Sequence, residues 1–232
     1  MRKIAISDIH GCFFTFQSML DRLELTTQDE LFLLGDFVDR GAHTKQVFDH
    51  IFELQEQSFN LHCLRGNHEQ MLLDALFHTQ IEVKRFEING GRATLDSFKA
   101  NGVMDIPRVY IDFINELPFY HLADPYIFVH GGLDFRYQED PFKREQAMLW
   151  MRNWYQKTDY TWLGERYIIH GHTPIPRLAI EKQWDTFETL RIANIDNGCV
   201  YDQEGMGNMC ALDLTNRKIF FEPRHRLDRR LL

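Results

Sequence analysis

An α/β fold with its polar chemistry at the carboxyl ends of the strands is what this 232-residue chain predicts, on three observations. The first third alternates short apolar runs with stretches of helical periodicity. Three of those runs end in polar motifs: Asp8-Ile9-His10-Gly11, Gly35-Asp36-Phe37-Val38-Asp39-Arg40-Gly41 and Gly66-Asn67-His68-Glu69. The last third holds short β-prone runs broken by turns, which calls for a second sheet.

In chain order, residues 3–8 read as a strand and 13–24 as a helix with Phe16, Met19, Leu20 and Leu23 on one face. Residues 30–35 read as the second strand, and a helix over 44–57 places Val47, Phe48, Ile51 and Leu54 at helical spacing. A third strand, 59–65, leads into a helix carrying Met71, Leu72, Ala75 and Leu76. Strand–helix–strand repetition implies parallel strands joined by right-handed crossovers, with ligands beyond the strands' carboxyl ends. Residues 79–118 read as mostly helical, with a break at Gly90-Gly91 and a stop at Pro107. Tyr126–Val129 reads as a strand ending in His130-Gly131-Gly132, and Arg166–Ile169 as another ending in His170-Gly171-His172-Thr173-Pro174. Residues 177–222 read as antiparallel strands, with turns at Gly198, Gly205 and Gly207. The Arg-rich residues 224–232 read as a solvated tail or a docked edge. No repeat, low-complexity segment or linker divides the chain, so a single domain over residues 1–232 is expected.

Composition narrows the function classes. Nineteen Phe support a sizeable core. No apolar run approaches the ~18 residues of a transmembrane helix, so no membrane partner is expected. A cleaved leader would remove Asp8, so a cytoplasmic location is expected. The four cysteines form no CxxC pair or zinc-ribbon spacing and read as buried thiols. A formal charge of −8 argues against general nucleic-acid binding. It leaves room for one phosphate in one pocket, where divalent cations reverse the local field.

Asp8 and His10, two apart on an extended strand end, face the same way and can reach one ion. Asp36 follows its strand at once, and one carboxylate can bridge two metals. Asn67 offers an amide oxygen, while His130 and His172 bring imidazoles from later strands. Two hard or borderline ions about 3.5–4 Å apart would activate water against phosphate esters. A single strand-end Asp is more often a helix cap, and a single His more often structural. Five strands ending in Asp, Asn or His, most beside glycine, favour metal binding instead.

The series DxHG, GDxxDRG, GNHE, HGG and GHTP resembles the PPP-type serine/threonine phosphatases within the wider metallophosphoesterases. The compact phage-lambda and bacterial branch is the nearer likeness. Its signature is similar to residues Arg65 to Asp74, Asn89-Gly90-Gly91, Gln146 to Arg152 and Ile195-Asp196-Asn197-Gly198. The resemblance implies a single calcineurin-like metallophosphoesterase domain: a central β-sandwich of mixed sheets flanked by helices, built on βαβαβ. It also implies two divalent metal ions, Mn²⁺ expected and Fe or Zn as alternatives. Asp8, His10 and Asp36 would ligate the first, and Asp36, Asn67, His130 and His172 the second. His170 is left open between a supporting and a packing role. Ser7 stands where Gly is more usual before Asp8, a small change.

A planar guanidinium grips two phosphoryl oxygens at once. Arg40 inside GDxxDRG, and Asn67 beside it, are candidate phosphate ligands. Arg152 by spacing alone reads as a salt-bridge residue, and the resemblance makes it a phosphate ligand too. Arg65 reads as a salt bridge. His68 is the candidate general acid, with Asp39 holding its ring and raising its pKa so that it stays protonated. None of the four cysteines has an Arg six positions later, which excludes the cysteine-phosphatase route.

The resemblance implies a metal-dependent protein phosphatase acting on phosphoserine and phosphothreonine, with phosphotyrosine as a further substrate, by direct attack of a metal-bridging hydroxide. Its partner would be a phosphoprotein or phosphopeptide, with no recognisable segment for a regulatory subunit. The alternative is a diadenosine tetraphosphatase, a relative that shares the metal motifs. Asp39 before Arg40, Glu69 after His68 and the two glycines after His130 favour the first, since the hydrolase branch resembles GDxxxRGP, GNHD and HAG there. A non-catalytic scaffold of the same fold is a third reading, disfavoured because every expected position is filled.

Overall fold

The computed structural model describes residues 1–77, 79–136 and 140–229. Its strands are β1 (Lys3–Ile6), β2 (Glu30–Leu33), β3 (Asn60–Cys63), β4 (Tyr120–Ala123), β5 (Tyr126–Val129), β6 (Tyr167–His170), β7 (Ile192–Asn194), β8 (Asn208–Asp213) and β9 (Lys218–Pro223). The helices are α1 (Phe13–Leu23), α2 (Thr44–Glu56), α3 (Asn67–Leu76), α4 (Gln80–Phe86), α5 (Arg92–Phe98), α6 (Arg108–Glu116), α7 (Glu145–Trp150), α8 (Tyr160–Leu163), α9 (Arg177–Asp185) and α10 (Phe187–Leu190).

Two mixed sheets form, in the orders β3-β2-β1-β8-β9 and β4-β5-β6-β7. Strands β1, β2 and β3 are parallel, as are β5, β6 and β7. Side chains alternate between sheet faces, and the two faces bury different partners. Ile4, Ile6, Leu31 and Leu33 pack with Phe16, Phe48 and Ile114 of the helices outside the first sheet. Ala5, Phe32 and Leu34 face inward against Phe128, Ile169 and Ala193 of the second sheet. Ile127, Val129, Ile168 and Ile192 face outward against Met148, Trp154 and Leu163. The result is a helix–sheet–sheet–helix sandwich, and Phe32 and Phe128 stack at its centre with ring centroids 3.9 Å apart.

Residues 177–222 differ from the expected antiparallel run. Ile180 and Trp184 are spaced for one helical face, and they bury with Phe187 against the inter-sheet core as α9 and α10. Strand β7 then pairs parallel to β6, and only β8 and β9 are antiparallel to each other. The Gly90-Gly91 break is a π-helical turn that carries α4 on into α5. Strand β4 completes a hairpin with β5 that the helical reading of the middle stopped short of.

The basic carboxyl-terminal segment docks. Helix α1 lacks a side-chain cap of its own at Cys12. The Asp228 carboxylate supplies one, accepting from the Phe14 and Thr15 N–H groups at 3.0 and 2.7 Å and from the Thr15 hydroxyl at 2.6 Å. Residues 230–232 of that segment lie outside the described residues. Among the described residues, no helix is long and apolar enough to cross a membrane.

Candidate active site

All six parallel strands end on one side of the sandwich, and the polar motifs meet there. The loops after β1 and β2 are laced together by backbone bonds: the Asp36 carbonyl accepts from Ile9 and His10, and Phe37 accepts from Gly11. Glu69, fully buried on α3, holds the second loop by accepting from the N–H groups of Asp36, Phe37, Val38 and Gly66 at 2.7–3.1 Å. This lacing keeps His10, Asp36, Asp39, Arg40 and His172 in left-handed backbone conformations, with φ between 46° and 72°. Such conformations cost an L-residue energy and persist where surroundings over-determine them.

Two groups of electron-pair donors result. Asp36, His130 and His172 form one; His10, Asp36 and His68 form the other, with Asp36 shared between them. His130 donates its Nδ1–H to the Leu34 carbonyl at 2.8 Å, which leaves its Nε2 lone pair facing Asn67 Oδ1 at 3.0 Å and Asp36 Oδ1 at 3.4 Å. His172 Nδ1 is 2.7 Å from the same Asn67 oxygen. His10 likewise donates Nδ1–H to Val38 at 2.8 Å and turns Nε2 toward Asp36 Oδ2 at 3.5 Å. Acceptors facing acceptors at these distances repel unless a proton or a cation joins them. The donor set of carboxylate, amide oxygen and imidazole nitrogen suits divalent ions of the hard or borderline kind.

Burial dominates the titration here. It pushes Asp36 up to about 7, holds His10 well below the usual imidazole range and brings His172 down to about 2. A buried divalent cation would reverse that preference and favour the deprotonated ligands.

Asp8 makes contacts of its own across the site. Its carboxylate accepts the His172 N–H, at 3.1 and 3.2 Å to its two oxygens, and the Ser7 hydroxyl, so it pins the His172 loop to β1. The close donor group around His10 contains His68 rather than Asp8. Ser7, read as a minor change, therefore makes a specific contact. His170 lies outside both groups, with Nε2 2.9 Å from the Tyr155 hydroxyl, and burial lowers its pKa to about 4.

Arg40 reaches the centre of the site, its guanidinium 2.5 Å from His10 Nε2 and 2.8 Å from His68 Nε2. His68 Nδ1 is 2.6 Å from Asp39 Oδ2. The pair does not raise the His68 pKa as expected: burial is the larger effect, taking His68 down to about 4 and Asp39 up to about 8. The neutral arrangement, with one proton shared along the bond, is therefore favoured over a separated ion pair. Thr94 completes the set, its hydroxyl donating to Asp39 Oδ1 and accepting from the Asp39 N–H, both at 2.8 Å. Sequence reasoning missed Thr94, whose only signal is its position just after the Asn89-Gly90-Gly91 motif.

Arg152 is exposed, and its charge contributes to lowering the His172 pKa, so it lies near the second donor group. Trp150 of the same segment is edge-on to His172, with ring centroids 6.3 Å apart. Among the described residues, Arg65 does not form the expected salt bridge. It donates to Gln70 Oε1 and to the Asn115 carbonyl and lies over Phe119, a scaffold role.

Comparison with known proteins gives a consistent picture. The chain is 24% identical over 230 residues to the asymmetrical bis(5'-nucleosyl)-tetraphosphatase PrpE of Bacillus cereus, covering 87% of each. Its fold matches a crystal structure of a putative diadenosine tetraphosphatase with a TM-score of 0.64 at 19% identity, covering 97% of this chain and 94% of that one. It also matches a cold-active protein tyrosine phosphatase with a TM-score of 0.63 at 15% identity, covering 95% of this chain and 78% of that one. The model of the calcineurin-like phosphoesterases matches residues 1–206, which span the carboxyl ends of the six parallel strands and every donor residue described above. This chain belongs to the calcineurin-like phosphoesterase family.

Proposed function

We propose that this protein is a metal-dependent hydrolase of dinucleoside polyphosphates, cleaving a phosphoanhydride bond of a bis(5'-nucleosyl) tetraphosphate. The observation that carries the substrate class is the end-to-end similarity to the asymmetrical tetraphosphatase, which runs over 87% of both chains. A protein phosphatase was the first reading of the sequence, and the three local features behind it have packing explanations. Glu69 is consumed in holding four backbone N–H groups. Asp39 is held by Thr94 and His68. Gly131, where the hydrolase branch resembles Ala, is packed so closely that a Cβ there would lie 3.0 Å from the Met148 carbonyl oxygen. These residues build the site and do not choose between substrates.

Asp8, His10, Asp36, Asn67, His130 and His172 are the residues that would hold two divalent ions. Such ions, when bound, activate water and neutralise phosphoryl charge. Arg40 would bind the equatorial oxygens of the phosphoryl group from within the site, with Arg152 at its rim. His68 would hold a proton toward the leaving oxygen, with Asp39 and Thr94 fixing its ring.

The test is a side-by-side assay with Mn²⁺ of diadenosine tetraphosphate and a phosphoserine peptide, with products separated by chromatography. The tetraphosphate is expected to give a nucleoside triphosphate and a nucleoside monophosphate at the higher kcat/KM. Exclusive hydrolysis of the phosphopeptide would overturn the proposal in favour of a protein phosphatase. Inactivity on both, and on p-nitrophenyl phosphate with Mn²⁺, Ni²⁺ or Co²⁺, would point to a non-catalytic scaffold.

A further inference from the structure

We infer that the groove between Arg40 and the docked carboxyl-terminal segment is a nucleotide subsite, in which Tyr201 stacks a nucleobase and Arg40, Arg224 and Arg229 take the phosphates leading from it. The inference rests on the dinucleoside polyphosphate reading and says where one nucleotide of that substrate lies.

The groove measures about 510 Å³, and Arg40, Tyr201, Asp202, Arg224 and Arg229 line it. Arg40 belongs to both places. Its guanidinium contacts His10 and His68 in the metal-ligand cluster and lies 5.8 Å from the centre of the Tyr201 ring. Arg40 therefore joins the two places, and an anionic chain held by its guanidinium at the cluster would extend toward this groove.

The cations are arranged for such a chain. The Arg224 side chain is only 9% exposed, which is unusual for a terminal-segment arginine. It donates to the Val200 carbonyl and to Asp202, yet its Nε is buried without a hydrogen-bond partner among the described residues. A guanidinium so buried, with one N–H unpaired, is not fully satisfied by its present partners, and its charge attracts an anion in the adjoining groove. Arg229 approaches the same Asp202 oxygen at 3.8 Å. Asp202 thus collects two arginines around one carboxylate on the wall of the groove, a place that phosphate oxygens also suit.

Tyr201 supplies the second half of the recognition. It is partly exposed beside these cations, and base–aromatic stacking tolerates any nucleobase. A phosphopeptide would use the arginines but would gain little from the ring. The combination of a cation row with one aromatic face therefore favours a nucleotide.

The test is equilibrium titration of the full-length chain, with Mn²⁺ present, using two non-hydrolysable probes. One is the α,β-methylene analogue of adenosine diphosphate, and the other is methylenediphosphonate, which has no base. Tyr201→Ala should raise the Kd of the nucleotide analogue by about tenfold, the scale of a base–aromatic stack, and leave that of methylenediphosphonate within about twofold. Arg229→Gln should weaken the nucleotide analogue with the Tyr201 ring intact. Equal effects of Tyr201→Ala on both probes, or none on the nucleotide analogue, would overturn the inference. Tyr201-dependent binding without hydrolysis of diadenosine tetraphosphate would overturn the functional reading and leave the groove as a nucleotide site.

Discussion

His68 and Asp39 meet at 2.6 Å, Nδ1 to Oδ2, in a buried corner of the site where Thr94 holds the far oxygen of the carboxyl. The ring's other nitrogen faces Arg40. This places a single proton carrier beside the residue expected to bind phosphate, and its importance depends on the leaving group. A nucleotide leaves as a phosphate anion that needs no proton, whereas an alkoxide does. General acid catalysis is worth ~10²–10⁴-fold where it is needed, so His68→Asn should cost alkyl phosphates that much and diadenosine tetraphosphate about tenfold or less. Turnover across a series of leaving groups of rising pKa is the measurement, and equal losses along the series would remove His68 from proton transfer.

Glu69 carries a structural prediction. It is fully buried and accepts from four backbone N–H groups of two loops that bear Asp36 and Asn67. Removing the carboxylate leaves buried donors without partners, each costing ~1–3 kcal/mol. Glu69→Ala should therefore destabilise the fold by on the order of 3–5 kcal/mol, and Glu69→Gln by less, because the amide keeps one acceptor oxygen. Urea unfolding of the variants measures this. A loss under about 1 kcal/mol for Glu69→Ala would mean that water replaces the carboxylate.

Much of this site was legible because it lies at strand ends, where local sequence and chemistry coincide. Asp36, Asn67, His130 and His172 each follow an apolar run, and the fold brings their donor atoms together. The contacts of Asp8 with Ser7 and the His172 N–H were not legible, because they depend on how the second sheet approaches the first. Thr94, Tyr155 and Tyr201 sit on helices and loops whose periodicity gives no chemical signal, and only tertiary packing brings them near the motifs. Residues 177–222 read as antiparallel strands because short β-prone runs alternate there with turns. Ile180, Trp184 and Phe187 are enough to seat two short helices on the inter-sheet core. The choice between phosphoester and phosphoanhydride could not be read from Asp39, Glu69 and Gly131, since scaffold demands alone account for them.

The buried carboxyls predict how metal and pH act together. Burial raises Asp36 from 3.8 to about 7, Asp39 from 3.8 to about 8 and Glu69 from 4.5 to about 8. A group raised in the folded state contributes stability that is full below its unfolded pKa and is lost as pH rises through the folded value. His68 and His170, lowered from 6.5 to about 4, act oppositely: their contribution is present above 6.5 and lost as pH falls through 4. Above pH 6.5 these histidines no longer change, so the carboxyls alone set the slope. The metal-free protein should lose thermal stability between about pH 6.5 and 8.5, and added Mn²⁺ should stabilise it most at the upper end, where the ligands release fewest protons on binding. Melting curves with chelator and with Mn²⁺ across this window test the point. A flat metal-free curve would mean that these carboxyls are already ionised in the fold.

Gly90 predicts a loss of activity separable from a loss of metal. It sits at φ +105°, and its carbonyl accepts the Arg40 N–H at 3.2 Å. A Cβ at this position would lie 2.8 Å from Arg40 Cγ and 3.0 Å from Arg40 N, while both donor groups lie elsewhere. Gly90→Ala must therefore move Arg40, and a displacement of about 1 Å at a positioning group costs on the order of 10²-fold in rate. The strained backbone adds about 1–3 kcal/mol of destabilisation. The neighbouring Gly91→Ala is the control, because its Cβ would meet the Phe86 ring at 2.5 Å, inside the helical core and away from Arg40. Gly90→Ala should lower kcat/KM sharply with Mn²⁺ affinity kept, whereas Gly91→Ala should lower the melting temperature more than the rate. If Gly90→Ala instead lost metal and activity in parallel, Arg40 would belong to the metal scaffold, and its guanidinium would no longer be available as a separate phosphate ligand.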